Sequence, residues 1–250
     1  MKPTTVSDRY NLIDVIRALA ILSMIVYHLC YDIFVAYEID AVWYTYPAVI
    51  LWERSISFSF VIVSGIALNF SRHPYKRGVI LNLLGFLITI VSVLIMPSQQ
   101  IWFGVLNLLG CAMMITHALR SLFDRIPPLA GMASSVLLFA VTFNIPKGSV
   151  GFFSLPAFAL PDGLYSCKYL AFLGFPSRDF FSADYFPLIP WLFLFIFGYF
   201  LWRFIKERGR DGVFRYDVPT LSFIGRHSLI IYLIHQPLLY AVCALVFGHF

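Results

Sequence analysis

Mostly apolar stretches recur along this chain, and all but the shortest, 129–143, are long enough to cross the roughly 30 Å hydrocarbon core of a bilayer as a helix. They cover residues 11–36, 47–70, 78–96, 101–119, 129–143, 187–205 and 221–247. The charge that an aqueous surface needs is missing. Charged residues make up 12% of the 250 and hydrophobic ones 60%, whereas soluble domains carry about 25% charge. Aromatic residues at 18% suit lipid and its interfaces. The sequence therefore predicts an all-α polytopic transmembrane helix bundle of about seven spans, a single domain over residues 1–250 with the lipid bilayer as its first partner.

Charge sets the expected orientation. Twelve Lys and Arg residues fall in the N-terminus and the loops on its side, three in the opposite loops and three within spans. Cationic loops resist translocation, so the N-terminus is predicted to be cytoplasmic. The same bias accounts for the net charge of +5 without nucleic acid as a partner. Residues 145–186, rich in Phe, Pro, Gly and Tyr, are too apolar for a solvated linker and too interrupted for a span. They predict an external or re-entrant cap; an eighth span there would move the C-terminus inside. Cys30, Cys111, Cys167 and Cys243 have no metal or redox spacing, and Cys167 alone falls in the external stretch. No metal site is expected.

Ionisable groups inside a span are costly, so they are candidates for function. On the first span Arg17 and His28 stand eleven residues apart, which at about 100° per residue leaves only about 20° between them. Asp14 and Asp32, eighteen residues apart, are separated by whole turns. All four lie along one stripe, with Asp14 and Arg17 near the cytoplasmic edge and His28 roughly 25 Å along the helix. A carboxylate at i+4, Asp32, is expected to hold one nitrogen of His28 and leave the other free as a general base. A cation near one face and a base near the other suggest chemistry reached from both sides.

The ten residues between Arg17 and His28 resemble the Arg-x10-His signature of the membrane acyltransferase-3 family. The wider pattern is still more similar to bacterial relatives of the heparan-α-glucosaminide N-acetyltransferase catalytic domain. It runs through Ile13, Asp14 and Arg17; Phe60, Ser64 and Gly65; Phe103, Gly104, Asn107 and Gly110. It continues through Asp184, Tyr185, Pro187, Pro190 and Trp191, then Gly225, Arg226, Ser228, Tyr232, His235, Gln236 and Pro237.

The resemblance implies a membrane acyltransferase of the bacterial inner membrane. It would take an acetyl group from cytoplasmic acetyl-CoA (acyl-CoA) to an amine or hydroxyl, as on a sugar or glycan, at the opposite face. Carried over by position, His28 is the catalytic histidine and Arg17 its partner nearer the CoA entrance. The heparan enzyme is larger, with its histidine just after the first span. Residues 37–52 here hold none, so His28 is carried from the acyltransferase-3 signature alone. Arg226, at the cytoplasmic start of the last span, joins Arg17 and Asp14 as a candidate for holding CoA. Asp184 and Tyr185, at the end of the cap, and His235 and Gln236, deep in the last span, are candidates for binding the acceptor. For Ser64 and Gly65 close helix packing is the expected role. Direct transfer and an acyl-histidine intermediate both stay open, as does a homo-oligomer. The rival reading is a small transporter or proton-coupled carrier whose path the stripe lines. The absence of duplicated halves favours the enzyme.

Overall fold

A computed structural model describes residues 9–37, 39–40, 42–153 and 155–248. The first helix, α1 (Asn11–Tyr31), runs on into a π-helical turn at Asp32–Ala36. Then come α2 (Pro47–Leu68), α3 (Pro74–Ile95), α4 (Val105–Ala118), the single turn α5 (Arg120–Phe123) and α6 (Pro128–Thr142). A hairpin of β1 (Ser149–Phe152) and β2 (Leu155–Ala159) precedes α7 (Leu188–Glu207), α8 (Pro219–Arg226) and α9 (Ser228–Phe247). Proline opens α3, α6 and α8, where its missing N–H costs nothing and its fixed φ suits the first turn.

Six of these helices are long and apolar enough to cross a membrane: Asn11–Val35, Pro47–Leu68, Pro74–Ile95, Pro128–Lys147, Leu188–Glu207 and Ser228–Phe247. The shorter apolar α4 is the seventh helix of the expected set, so the polytopic all-α reading stands. Outward-facing side chains of α3 such as Leu83, Leu94 and Ile95 are exposed; a bilayer accommodates such a face, whereas water does not.

Two boundaries differ from the sequence reading for local reasons. The run 101–119 becomes helical only at Val105. Phe103 adopts φ 54°, and the segment before α4 is tied to the end of the cap. Ala183 N–H donates to the Gln100 carbonyl at 3.0 Å, Phe186 N–H to that of Phe103 at 3.0 Å, and Trp102 N–H to the Ser182 hydroxyl at 2.9 Å. At about 21 Å, fourteen residues of α-helix fall short of the bilayer core. The run 221–247 is two helices, interrupted at His227 (φ −99°, ψ 10°).

Residues 145–186 form short 3₁₀ turns and the antiparallel hairpin, in which Ser149 pairs with Ala159 and Phe152 with Leu155 around a bulge at Val150/Gly151. Among the described residues of this segment there is no eighth spanning helix.

The chain divides into two compact units, Met1–Val63 with Arg208–Phe250, and Ser64–Glu207. In the first, α8 and α9 pack on α1 around Ile21, Met24 and Ile56, with Tyr27, Trp52, Phe60, Ile224, Ile231 and Tyr232 against them. In the second, α3 packs on α4, and α7 on α6. Gly65 bears out the packing expectation: a Cβ there would stand 2.0 Å from the Phe195 carbonyl oxygen on α7. The Tyr199 hydroxyl donates to Asp124 at 3.0 Å, and Arg203 caps the Phe123 carbonyl at 2.6 Å.

Candidate functional site

All four residues of the α1 stripe belong to the first unit, as do Arg226, His235 and Gln236. Helical periodicity put the four on one face, and the C-terminal helices of the same unit cover that face at two levels.

The lower level is built around Asp14, which is buried. Its two oxygens take different guanidinium groups, Arg9 at 2.7 Å and Arg17 at 3.3 Å. The fork of each arginine presents N–H groups in the plane a carboxylate accepts. Gly225 of α8 lies directly on this turn: a Cβ at Gly225 would be 1.8 Å from the Asp14 carbonyl oxygen. The approach brings the end of α8, with its exposed Arg226, to the same end of α1 as Arg17. Nearby, the Tyr10 hydroxyl donates to Asp211 at 2.8 Å. That bond to a carboxylate raises the Tyr10 phenol above its ordinary range and keeps it a donor.

The upper level brings His28 and Asp32 of α1 against His235 and Gln236 of α9. The imidazole rings of His28 and His235 lie with centroids 5.1 Å apart, tilted by 53°. Gln236 donates its amide to both oxygens of Asp32, at 3.1 and 3.2 Å. The His235 Nδ1 lies 2.5 Å from the backbone carbonyl of Tyr232. A carbonyl only accepts, so Nδ1 carries the proton and the neutral ring presents its lone pair at Nε2. That Nε2 is buried and has no hydrogen-bond partner among the described residues, and the same holds for the Gln236 Oε1.

One expected contact is not made. Asp32 was to hold a nitrogen of His28 from i+4, yet its carboxylate goes to Gln236. Among the described residues His28 has no hydrogen bond; its ring meets Tyr27 edge-on and His235. The physical reason is reach and competition. An aspartate side chain is short, and an amide donor on a facing helix satisfies both of its oxygens at once.

Asp184 and Tyr185 belong to the second unit. The Tyr185 hydroxyl donates to the Ala171 carbonyl at 2.5 Å. Burial pushes its phenol well above the ordinary range, so it remains a neutral donor. Asp184 lies against Gly104, its Oδ2 at 3.2 Å from where a Cβ would stand. Asn107 donates to the Asn82 carbonyl at 3.4 Å.

Sequence reading did not connect the aromatic group beside His28, where Tyr27 contacts Trp43 and Trp52 at centroid separations of 5.7 and 5.5 Å. Its only sequence signal was the density of Trp and Tyr over residues 43–52. Arg9, assigned there to orientation alone, also proves to be a partner of Asp14. The four cysteines are free thiols, with Cys167 exposed. Among the described residues no group of three or more His, Cys, Asp or Glu side chains could hold a metal ion.

The sequence model of the family described as "Heparan-alpha-glucosaminide N-acetyltransferase, catalytic" matches residues 9–237. The chain belongs to this family. The match begins at Arg9, which pairs with Asp14, and ends at Pro237, just after His235 and Gln236, so it takes in both levels of the α1 face. No curated protein and no solved structure matches the chain. Membership in the heparan-α-glucosaminide N-acetyltransferase catalytic family, together with the long apolar helices, makes the chain an integral-membrane acetyltransferase.

Proposed function

We propose that this acetyltransferase takes its acetyl group from cytoplasmic acyl-CoA and passes it to an amine or hydroxyl of a sugar or glycan acceptor at the opposite face of a bacterial inner membrane. The observation that carries the reading is the two-level face of α1. Arginines gather at one level, and imidazole, amide and carboxylate groups at the other. About 16 Å of helix separates Arg17 from His28, a gap that the long pantetheine arm of CoA bridges when its phosphates lie at Arg17 and Arg226. Asp14 orients Arg17 for that task. Guanidinium forks suit phosphate oxygens well.

At the other level the acceptor meets hydrogen-bond acceptors: the Gln236 Oε1 and the lone pair of His28. Such a set receives groups rich in N–H or O–H, which an amine or a sugar hydroxyl supplies. His28 takes the proton of the attacking group as its lone pair adds to the thioester carbonyl carbon. The C–S bond then breaks, and the proton is returned to the CoA sulfur. The apolar surroundings keep water from the thioester.

The test is to incubate the purified protein in lipid vesicles with acetyl-labelled acetyl-CoA and a panel of amino sugars and neutral sugars. Label is expected in an acceptor, with release of free CoA thiol. Folded protein that neither binds acetyl-CoA nor turns it over would overturn the reading. Orientation has its own check. An impermeant maleimide added to intact cells is expected to label Cys167 and to leave a Cys167→Ser variant unlabelled. Labelling of Cys167 only after the membrane is opened would reverse the topology.

A further inference from the structure

We infer that His235 is the positioning residue for His28, in the role that the i+4 spacing assigns to Asp32. The inference rests on the reading of His28 as general base, and it comes from three observations within one unit. Asp32 is committed to the Gln236 amide through both oxygens. The His235 ring is fixed by its Nδ1–H on the Tyr232 carbonyl at 2.5 Å. Its Nε2 is buried without a partner among the described residues, and the ring lies 5.1 Å, centroid to centroid, from that of His28.

A base works when one of its ring nitrogens is held by an acceptor and the other faces the proton to be taken. At this site the acceptor held ready is an imidazole lone pair. Two imidazoles joined N–H to N have centroids roughly 5 Å apart at ordinary hydrogen-bond length, so with His235 held by Tyr232 only the His28 ring has to turn to close the bond. The chain of donors is then complete. The Tyr232 carbonyl accepts from His235 Nδ1–H, and His235 Nε2 accepts from the N–H of His28. The second nitrogen of His28 accepts from the amine or hydroxyl. When His28 gains the acceptor's proton, its shared N–H bond strengthens without a second proton moving, and the proton leaves with the CoA sulfur. Tyr232 fixes the direction of the whole chain through a backbone group, which no side-chain substitution there removes.

The experiment compares His235→Leu, His235→Asn and His235→Gln with wild type and Asp32→Asn, each purified, checked for folding by thermal unfolding, and assayed for acetyl transfer with acetyl-CoA. Leu supplies no acceptor, and kcat is expected to fall about 10²–10³-fold with KM for acetyl-CoA unchanged. Gln presents an oxygen at nearly the distance of Nε2 and is expected to recover activity to within about tenfold of wild type. Asn has the same amide on a shorter stem and is expected to resemble Leu; it carries the test if the Leu variant does not fold. Asp32→Asn is expected to lose much less than His235→Leu. A His235→Leu or His235→Asn variant with near wild-type kcat, a Gln variant no better than Asn, or an Asp32→Asn loss equal to that of His235→Leu would overturn the assignment. Wild-type protein without acetyl transfer would instead sink the underlying function, and a fully active His28→Ala would sink the reading of His28 as base.

Discussion

Replacing His28 by alanine is expected to lower kcat for acetyl transfer by about 10²–10⁴-fold, the range a positioned base contributes, while acetyl-CoA still binds with little change. The two halves of that expectation have separate causes. His28 makes no hydrogen bond among the described residues, so its removal breaks no bond of the resting structure and α1 keeps a strong helix former. The arginines proposed to hold the donor stand about 16 Å away along the helix. Equilibrium binding of labelled acetyl-CoA and single-turnover transfer, measured on the same preparation, separate the effects. Intact turnover in the variant would remove His28 from the chemistry. Loss of binding together with turnover would mean that the upper level, rather than the arginines, holds the donor.

The second large effect is structural. Gly225→Val is expected to cost more than the 1–3 kcal/mol typical of an overpacked site and to lower the thermal unfolding temperature in detergent by many degrees. A Cβ at Gly225 would stand 1.8 Å from the Asp14 carbonyl oxygen, 2.5 Å from its carbon and 2.9 Å from the Asp14 Cα. All three are backbone atoms, so no side chain can swing aside, and α8 has to leave α1. With it go the burial of Ser222, whose hydroxyl bonds Asp217 at 2.5 Å, and the placement of Arg226 near Arg17. Weaker acetyl-CoA binding is therefore expected in whatever variant remains folded. Gly212→Ala, where nothing stands within 4 Å of the added carbon, is the matched control and is expected to unfold like wild type. Equal unfolding temperatures for the Gly225 and Gly212 variants would mean that α8 is not docked on Asp14.

The lower level was more legible in the sequence than the upper one. Asp14 and Arg17 are three residues apart on one helix, and their ion pair follows from helix geometry alone. The same geometry suggested an Asp32–His28 contact, which fails because Gln236, 204 residues away from Asp32 along the chain, offers a better-matched donor. Likewise the apolar run 221–247 read as one helix because hydropathy averages over residues. The break at His227 follows directly on Gly225, where α8 meets α1, a contact that no window of residues contains. The late start of α4 has the same origin, since residues 100–103 bond to the end of the cap instead of continuing the helix.

What the sequence by itself determined is set by periodicity and length: a chain of membrane-crossing helices, and an ordered polar stripe on the first of them that exists because 3.6 residues make a turn. The tertiary structure alone decided what that stripe faces. Asp14 meets the backbone approach of Gly225, Asp32 is occupied by Gln236, and His28 is left beside the unpartnered nitrogen of His235. The difference is physical. A helix fixes the direction of its own side chains through local hydrogen bonds. Which groups answer a buried carboxylate or imidazole is settled by competition among all the donors that packing brings within reach.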